Sequence, residues 1–291
     1  MKYEGVVIRP PSEADSLILQ VTVGCSHNKC IFCPAYKAKR FRIKRFDDIK
    51  EDIDEAGIHA QHTRRVFLAD GDALIIPQHR LLEIIHYLNK TFPKLTRIGI
   101  YGNAKSILKK SIGQLKELKA NKLGIIYLGV ESGDAETLKN VRKGITYQQM
   151  VEAAKRVKEA SIKLSVTVLL GVAGTERSII HAKETARILT DIQPDHVGAL
   201  TLMISPEAPL YRNVEEGTFA LPSPFALLQE LRIMIAESDL QNCLFFSNHA
   251  SNYLPIKARL PKDKYSSVKL IDDVLSSADE ALLKPEYLRA L

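Results

Sequence analysis

The stretch VGCSHNKCIFC, residues 23–33, places three of the chain's four cysteines within nine positions. Cys25, Cys30 and Cys33 are spaced C-x4-C-x2-C, and Cys243 lies far away. A structural zinc site takes four ligands, usually as two separated pairs. Here His27 would have to be the fourth, strained inside the loop between Cys25 and Cys30. Ordinary buried thiols would not gather beside Ser26, His27, Asn28 and Lys29. An iron–sulfur cube has four irons, usually held by four thiolates. Three thiolates leave one iron open to another ligand, as catalytic zinc keeps one position open. The cube is the favoured expectation, with a Cys3His zinc site as the alternative.

The elements that must position such a site alternate along the chain. Strand candidates are 16–24, 65–70, 97–102, 124–130, 163–171 and 197–203, rich in Val, Ile and Leu without strict alternation. That pattern suits strands buried on both faces, as in a parallel sheet. Between them, apolar residues recur at helical spacing: Phe46, Ile49, Ile53 and Ala56; Leu81, Ile84, Ile85 and Leu88; Met150, Ala153, Ala154 and Val157; Ile179, Ala182, Ala186 and Leu189. The expected class is α/β with right-handed crossovers. Periodicity does not separate an open doubly wound sheet from a complete or partial barrel. Either architecture puts its site at the C-terminal ends of the strands.

Polar and glycine residues gather at those ends. The cysteines begin where the first strand stops. Asp70, Gly71 and Asp72 follow the second, Gly102 and Asn103 the third, Glu131, Ser132 and Gly133 the fourth, and Gly171, Gly174 and Glu176 the fifth. After Ser205 the alternation stops. A turn-rich stretch leads to a helix (225–239), a short strand at CLFFS, a polar loop (248–252) and a helical tail. The expected division is a lead (1–15), a core (16–205) and an extension (206–291) closing the mouth of the core.

Composition narrows the function classes. The net charge is +7, and six of the nine residues in KAKRFRIKR (37–45) are basic. Such a run is a solvated face or a site for an anion, whether phosphate, carboxylate or RNA. There is no Trp, and no aromatic platform for stacking bases stands out. No run of eighteen apolar residues spans a membrane, and residues 1–16 lack the apolar stretch of a signal peptide. A cytoplasmic location is expected, where clustered thiols point to metal rather than to disulfides.

The cysteine trio resembles the cluster loop of the radical S-adenosylmethionine (radical SAM) superfamily, placed as there after the first barrel strand. The usual spacing there is C-x3-C-x2-C, one residue shorter. The stretch YLGVESGDAETLKNVRKGITYQQMVEA (127–153) resembles the segment after the fourth strand in the branch holding tRNA methylthiotransferases and oxygen-independent coproporphyrinogen oxidases. VTVLLGVAGTE (166–176) resembles the fifth-strand glycine motif, and ADGDAL (69–74) stands where the family has Gly-Gly-Glu.

The resemblance implies a partial (β/α)6 TIM-like barrel with a small α+β C-terminal extension. It implies a [4Fe–4S] cluster on Cys25, Cys30 and Cys33, and S-adenosylmethionine as the second cofactor. Phe32 would pack near the adenine. Asp70, Gly71 and Asp72 would meet the methionyl ammonium, and Glu131 and Ser132 the ribose hydroxyls or the amino group. Gly171 and Gly174 would let the cofactor lie against backbone, with Asn103 as a further contact. Arg42 or Lys44 would pair with the methionine carboxylate. For substrate, the loop 247–253 offers His249 and Tyr253 as catalytic candidates, beside Ser247, Asn248 and Asn252.

The expected activity is reductive cleavage of S-adenosylmethionine and hydrogen abstraction from a small-molecule substrate. A partner such as flavodoxin or ferredoxin would supply the electron. A second cluster needs about three more thiolates, and only Cys243 remains; it reads as a buried apolar residue rather than a hydrogen donor. An RNA-modifying enzyme and a non-catalytic cluster or heme carrier are the alternatives.

Overall fold

The computed structural model describes residues 1–290. In chain order the elements are β1 (Leu17–Gln20), β2 (Thr22–Val23), β3 (Arg42–Ile43), α1 (Phe46–His59), β4 (Arg65–Ala69), α2 (Gln78–Thr91), β5 (Arg97–Tyr101), α3 (Ala104–Leu108), α4 (Ile112–Ala120) and β6 (Leu123–Glu131). There follow α5 (Ala135–Asn140), α6 (Tyr147–Glu159), β7 (Lys163–Leu170), α7 (Gly174–Ile192), β8 (His196–Thr201), α8 (Leu210–Glu215), α9 (Pro224–Glu237), β9 (Cys243–Phe246), β10 (Lys257–Leu260) and α10 (Lys264–Ser277). The fold is α/β: eight strands belong to one mostly parallel sheet, flanked by helices.

The chain divides into two compact units, the first being residues 1–28, 35–128 and 152–164 and the second the remainder. In the first, β1 pairs with β4, β4 with β5 and β5 with β6, all parallel. On one face Leu19, Leu68 and Ile100 share a row and are fully buried, as are Ile49 and Ile53 of α1 and Ile84 and Ile85 of α2. The opposite face carries Phe67, Tyr101 and Tyr127 in edge-to-face contact. The lead is stitched to this unit. Glu13 is fully buried and accepts from Arg97 at 2.6 Å and Tyr127 at 2.5 Å, and Glu4 N–H donates to Gln20 Oε1 at 2.8 Å.

In the second unit β7 pairs with β8 and β8 with β9, both parallel, and β10 returns antiparallel to β9. Residues 243–260 therefore extend the sheet beyond β8. Helix α9 packs between α7 and α10. Helices start where a side chain takes an orphan N–H: Ser111 opens α4 with a capping box, Asp134 opens α5 and Ser223 opens α9.

One expected strand is broken. Residues 16–24 hold two elements, because after β1 the chain turns away and β2 pairs antiparallel with β3, Thr22 opposite Ile43 and Val23 opposite Arg42. No helix among the described residues is long and apolar enough to cross a membrane.

Candidate functional site

The β2–β3 ladder closes the base of the cysteine loop, so Cys25, Cys30 and Cys33 leave and return through one neck. All three are half-buried. Gly24 sits in the left-handed region (φ +77°) and donates its N–H to Asp70 Oδ2 at 3.1 Å. The same oxygen is 3.3 Å from Gln20 Nε2 and 3.3 Å from Lys39 Nζ. Asp70 is fully buried, and its Oδ1 has no hydrogen-bond partner. Gly71 passes directly under the loop: a Cβ there would lie 2.5 Å from Tyr36 Cε2 and 3.0 Å from Cys25 Cβ.

Asp72 is committed differently. It accepts from Ser26 Oγ in the cysteine loop, from Ser106 Oγ at 2.6 Å, and from Asn103 at 2.7 Å (Nδ2) and 3.1 Å (N–H). Asn103 also caps α3 by accepting from Ser106 N–H at 2.8 Å. Burial pushes the Asp72 carboxyl up, against the donors from Ser106, Ser26 and Asn103. Asp72 and Asn103 thus hold the loop to the end of β5. Asp70 is the carboxylate with an oxygen to offer.

In the second unit, Ile31 is pinned on both backbone faces. Its N–H donates to Val141 O at 3.1 Å, and its carbonyl accepts from Leu210 N–H at 2.9 Å. Phe32 packs with it against Val141, Leu169, Val172 and Leu202. Glu131 ends β6 at φ +64° and takes Lys143 Nζ at 2.7 Å. Ser132 is fully buried, with its Oγ 2.7 Å from His181 Nδ1 and accepting from Asp134 N–H at 3.0 Å. Gly171 and Gly174 both take positive φ, +80° and +70°, a conformation that favours glycine. Gly171 N–H donates to Glu230 Oε2 at 2.7 Å, and Ser178 Oγ donates to Glu230 Oε1 at 2.7 Å. Ser132, His181 and Glu230 have the residue types of a hydrolase triad, but all three are fully buried, so no nucleophile is presented.

Much of the basic run has acidic or carbonyl partners. Arg42 pairs with Glu4, Lys44 with Asp52 at 2.7 Å, Arg45 with Asp47 at 3.3 Å, and Lys37 donates to Asn28 O at 2.9 Å. Lys39 is the one that reaches Asp70. The loop 247–253 splits likewise. Tyr253 is buried, donates to Glu286 at 2.6 Å and lies 4.1 Å beneath the Arg289 guanidinium, so it anchors the C-terminal tail. His249 stays half-buried, with Nδ1 accepting from Ser251 N–H at 3.2 Å. Burial, then Lys284, lowers its pKa, which keeps the ring neutral near pH 7. Cys243 is fully buried in β9.

Sequence reasoning passed over Lys39 and Glu230. Lys39 is one of six basic residues in nine, and the sequence does not single it out. Glu230 carried a signal: it is the acid inside the largely apolar run LLQELRIMIA. Burial pushes its carboxyl up to about 7, against the donors Ser178 and Gly171, and burial pushes His181 down to about 4. The two act oppositely on stability. A raised carboxyl binds its proton more tightly when folded, so its contribution is full below the ordinary value and is lost as pH rises to about 7. A neutral buried histidine loses its contribution as pH falls from 6.5 toward about 4. The melting temperature of Glu230→Gln minus that of the wild type is expected to grow between about pH 5 and about pH 7 and then level off. A difference that stays flat over that range contradicts a buried, protonated Glu230.

The site fits the cofactors the motifs imply. In the first unit Cys25 packs on Gly71, beside the orphaned buried carboxylate oxygen of Asp70, and in the second Cys30 and Cys33 are half-buried thiols. Among the described residues no three His, Cys, Asp or Glu side chains group as ligands of one ion; a cube takes each thiolate at a different iron.

Comparison with known proteins bears directly on this site. The model of the radical SAM superfamily matches residues 19–187. An uncharacterized protein of Methanocaldococcus jannaschii is 24% identical over 256 residues, covering 84% of this chain and 74% of that one. Among solved structures, methylornithine synthase superposes with a TM-score of 0.54 at 18% identity, covering 92% of this chain and 85% of that one. Coproporphyrinogen III oxidase of Escherichia coli gives 0.57 at 16% identity, covering 78% and 53%. The chain belongs to the radical SAM superfamily, whose enzymes work with a [4Fe–4S] cluster and S-adenosylmethionine.

Proposed function

We propose that the chain cleaves S-adenosylmethionine reductively at a single [4Fe–4S] cluster held by Cys25, Cys30 and Cys33, and takes hydrogen from a small-molecule substrate. Held by Cys25, Cys30 and Cys33, a reduced cluster would supply the electron for reductive cleavage of the sulfonium. The protein's part is to bind, orient and exclude competitors. The observation that carries this reading is the Cys25–Gly71–Asp70 arrangement: a cluster thiol packed on a strand end whose buried carboxylate has one oxygen unpartnered.

Asp70 receives the methionyl ammonium, since a cation satisfies an orphaned carboxylate oxygen where water cannot reach. Lys39, beside Asp70, takes the place first given to Arg42 or Lys44 as partner of the methionine carboxylate. Glu131, oriented by Lys143, meets the ribose, and Phe32 the adenine. Gly171 and Gly174 offer a face without side chains, while Ser132, Asp72 and Asn103 hold these groups in place. His249, a neutral ring in a loop after β9, is the proposed substrate contact. The core 16–205 carries the chemistry and 206–291 covers it. A flavodoxin- or ferredoxin-like protein is the proposed donor and the cytoplasm the proposed location. The RNA reading is not retained, because the basic run that motivated it is largely paired.

Asp70→Asn tests the assignment. It keeps the size and loses the charge, so the KM for S-adenosylmethionine is expected to rise by about tenfold or more, as for loss of a charge-assisted contact. An unchanged KM, measured by 5′-deoxyadenosine release, removes Asp70 from the site.

A further inference from the structure

The turn between β7 and α7 is shaped by residues far along the chain. Its two left-handed glycines are enclosed by the segment leading into α9. A Cβ at Gly171 would lie 2.8 Å from Leu227 Cδ2 and 2.9 Å from Leu221 Cδ1, and one at Gly174 would lie 3.2 Å from Phe219 Cε2. Thr175 N–H donates to Ala220 O at 3.0 Å. At the centre, Glu230 bridges the turn to α7 by accepting from Gly171 N–H and Ser178 Oγ. Its Oε2 stands 3.7 Å from His181 Nε2, a packing contact rather than a hydrogen bond. The other His181 nitrogen meets Ser132 at the end of β6. One buried chain of polar groups thus runs from α9 through the β7 turn and α7 to the strand end that carries Glu131.

A carboxyl group is a costly choice here, because its neighbours Leu227, Leu228 and Leu231 form an apolar core. An apolar side chain would pack there, but it would leave Gly171 N–H without an acceptor. A buried unpaired donor lets the turn escape to conformations that satisfy it.

We infer that Glu230, which lies outside the segment matched to the superfamily, is a positioning residue. It fixes the Gly171–Gly174 turn and, by packing against His181, steadies the Glu131–Ser132 end of β6, and so sets the affinity for S-adenosylmethionine. The inference rests on the function proposed above. It deepens that function by making affinity for the nucleotide depend on the C-terminal extension.

The test compares wild type, Glu230→Leu, Glu230→Gln and Arg232→Ala, the last lying on the same helix as Glu230 and removing an ion pair with Asp272 of α10. Hydrogen exchange of the peptide carrying Gly171, on protein without cofactors, reads the turn alone. Equilibrium dialysis of S-adenosylmethionine and the KM and kcat for 5′-deoxyadenosine release read the consequence. Glu230→Leu is expected to speed exchange in the turn and to raise the dissociation constant and KM about tenfold, with kcat changed less than about threefold. Glu230→Gln, which still offers an oxygen to Gly171, restores both readouts, and Arg232→Ala moves neither. Should the leucine variant not fold, Ser178→Ala is expected to shift both readouts the same way by less.

Unchanged exchange and unchanged KM in the altered variants overturn the inference. So does a loss of melting temperature and kcat with KM preserved, which would make Glu230 scaffolding only. Wild-type protein that neither binds nor cleaves S-adenosylmethionine overturns the functional reading and, with it, the affinity half of the inference. Exchange in the turn still decides the positioning half.

Discussion

Cys30→Ala, reconstituted without oxygen, is expected to hold no stable cluster and to release 5′-deoxyadenosine at below about 1% of the wild-type rate, because two thiolates cannot retain a cube that already lacks its fourth. Its fold should survive. Cys30 is half-buried, and the bonds that pin its neighbour Ile31 are made by backbone atoms. The melting curve of the cluster-free variant should differ from that of wild type by less than about 1 kcal/mol. Cys243→Ala should behave in reverse. That thiol is fully buried in β9, so its removal costs about 1 kcal/mol of stability and leaves iron, sulfide and product at wild-type levels. The four cysteines would then sort into three that serve the cluster and one that serves the core. Cys30→Ala with full activity, or Cys243→Ala without a cluster, contradicts that division.

Gly133→Ala is expected to have the largest effect on stability of any single methyl group. A Cβ at 133 would stand 2.0 Å from Glu184 O and 2.4 Å from its carbonyl carbon. Both are backbone atoms of α7, so no side chain can swing aside. The helix would have to retreat from the end of β6, breaking the Gly133 N–H bond to Thr185 Oγ1 (3.0 Å) and straining that of Ser132 to His181. A penalty of at least about 3 kcal/mol is expected, the upper range for overpacking, and it should appear as a lower urea midpoint at unchanged slope. Gly113→Ala is the control. Its Cβ would meet only Ser111 Oγ, at 3.7 Å, in α4, so it should be neutral or stabilising by up to about 1 kcal/mol.

Much of the architecture was legible because it rests on local pattern. The six strands read from runs of Val, Ile and Leu all exist, within a residue or two except where 16–24 divides. Helices α1, α2, α6, α7 and α9 fall where apolar residues repeat at helical spacing. The division after Gln20 was hidden, because hydropathy does not report that Thr22 and Val23 leave β4 to pair with Ile43 and Arg42. The strand β10 was read into a helical tail, because KARL is short, charged and flanked by helix formers.

At the site, residue types were legible and allegiances were not. The polar residues at the strand ends were found from position alone. Which of two aspartates was already satisfied depended on Ser26, Asn103 and Ser106, whose approach only tertiary structure supplies. The partners of the basic run were hidden for the same reason. Its partners Glu4 and Asp70 lie 38 and 31 residues away, beyond any local spacing rule. Glu230 was visible as an acid in an apolar helix, but its meaning lies in one N–H of Gly171.

The central claim is that three thiolates hold a cube whose open iron serves S-adenosylmethionine. It is tested most directly by loading oxygen-free protein with iron and sulfide, reducing it with dithionite and measuring 5′-deoxyadenosine. About four irons and four sulfides per chain, with product formed only after reduction and not by Cys30→Ala, is the expected result. A fully loaded, reduced protein that leaves S-adenosylmethionine whole contradicts it.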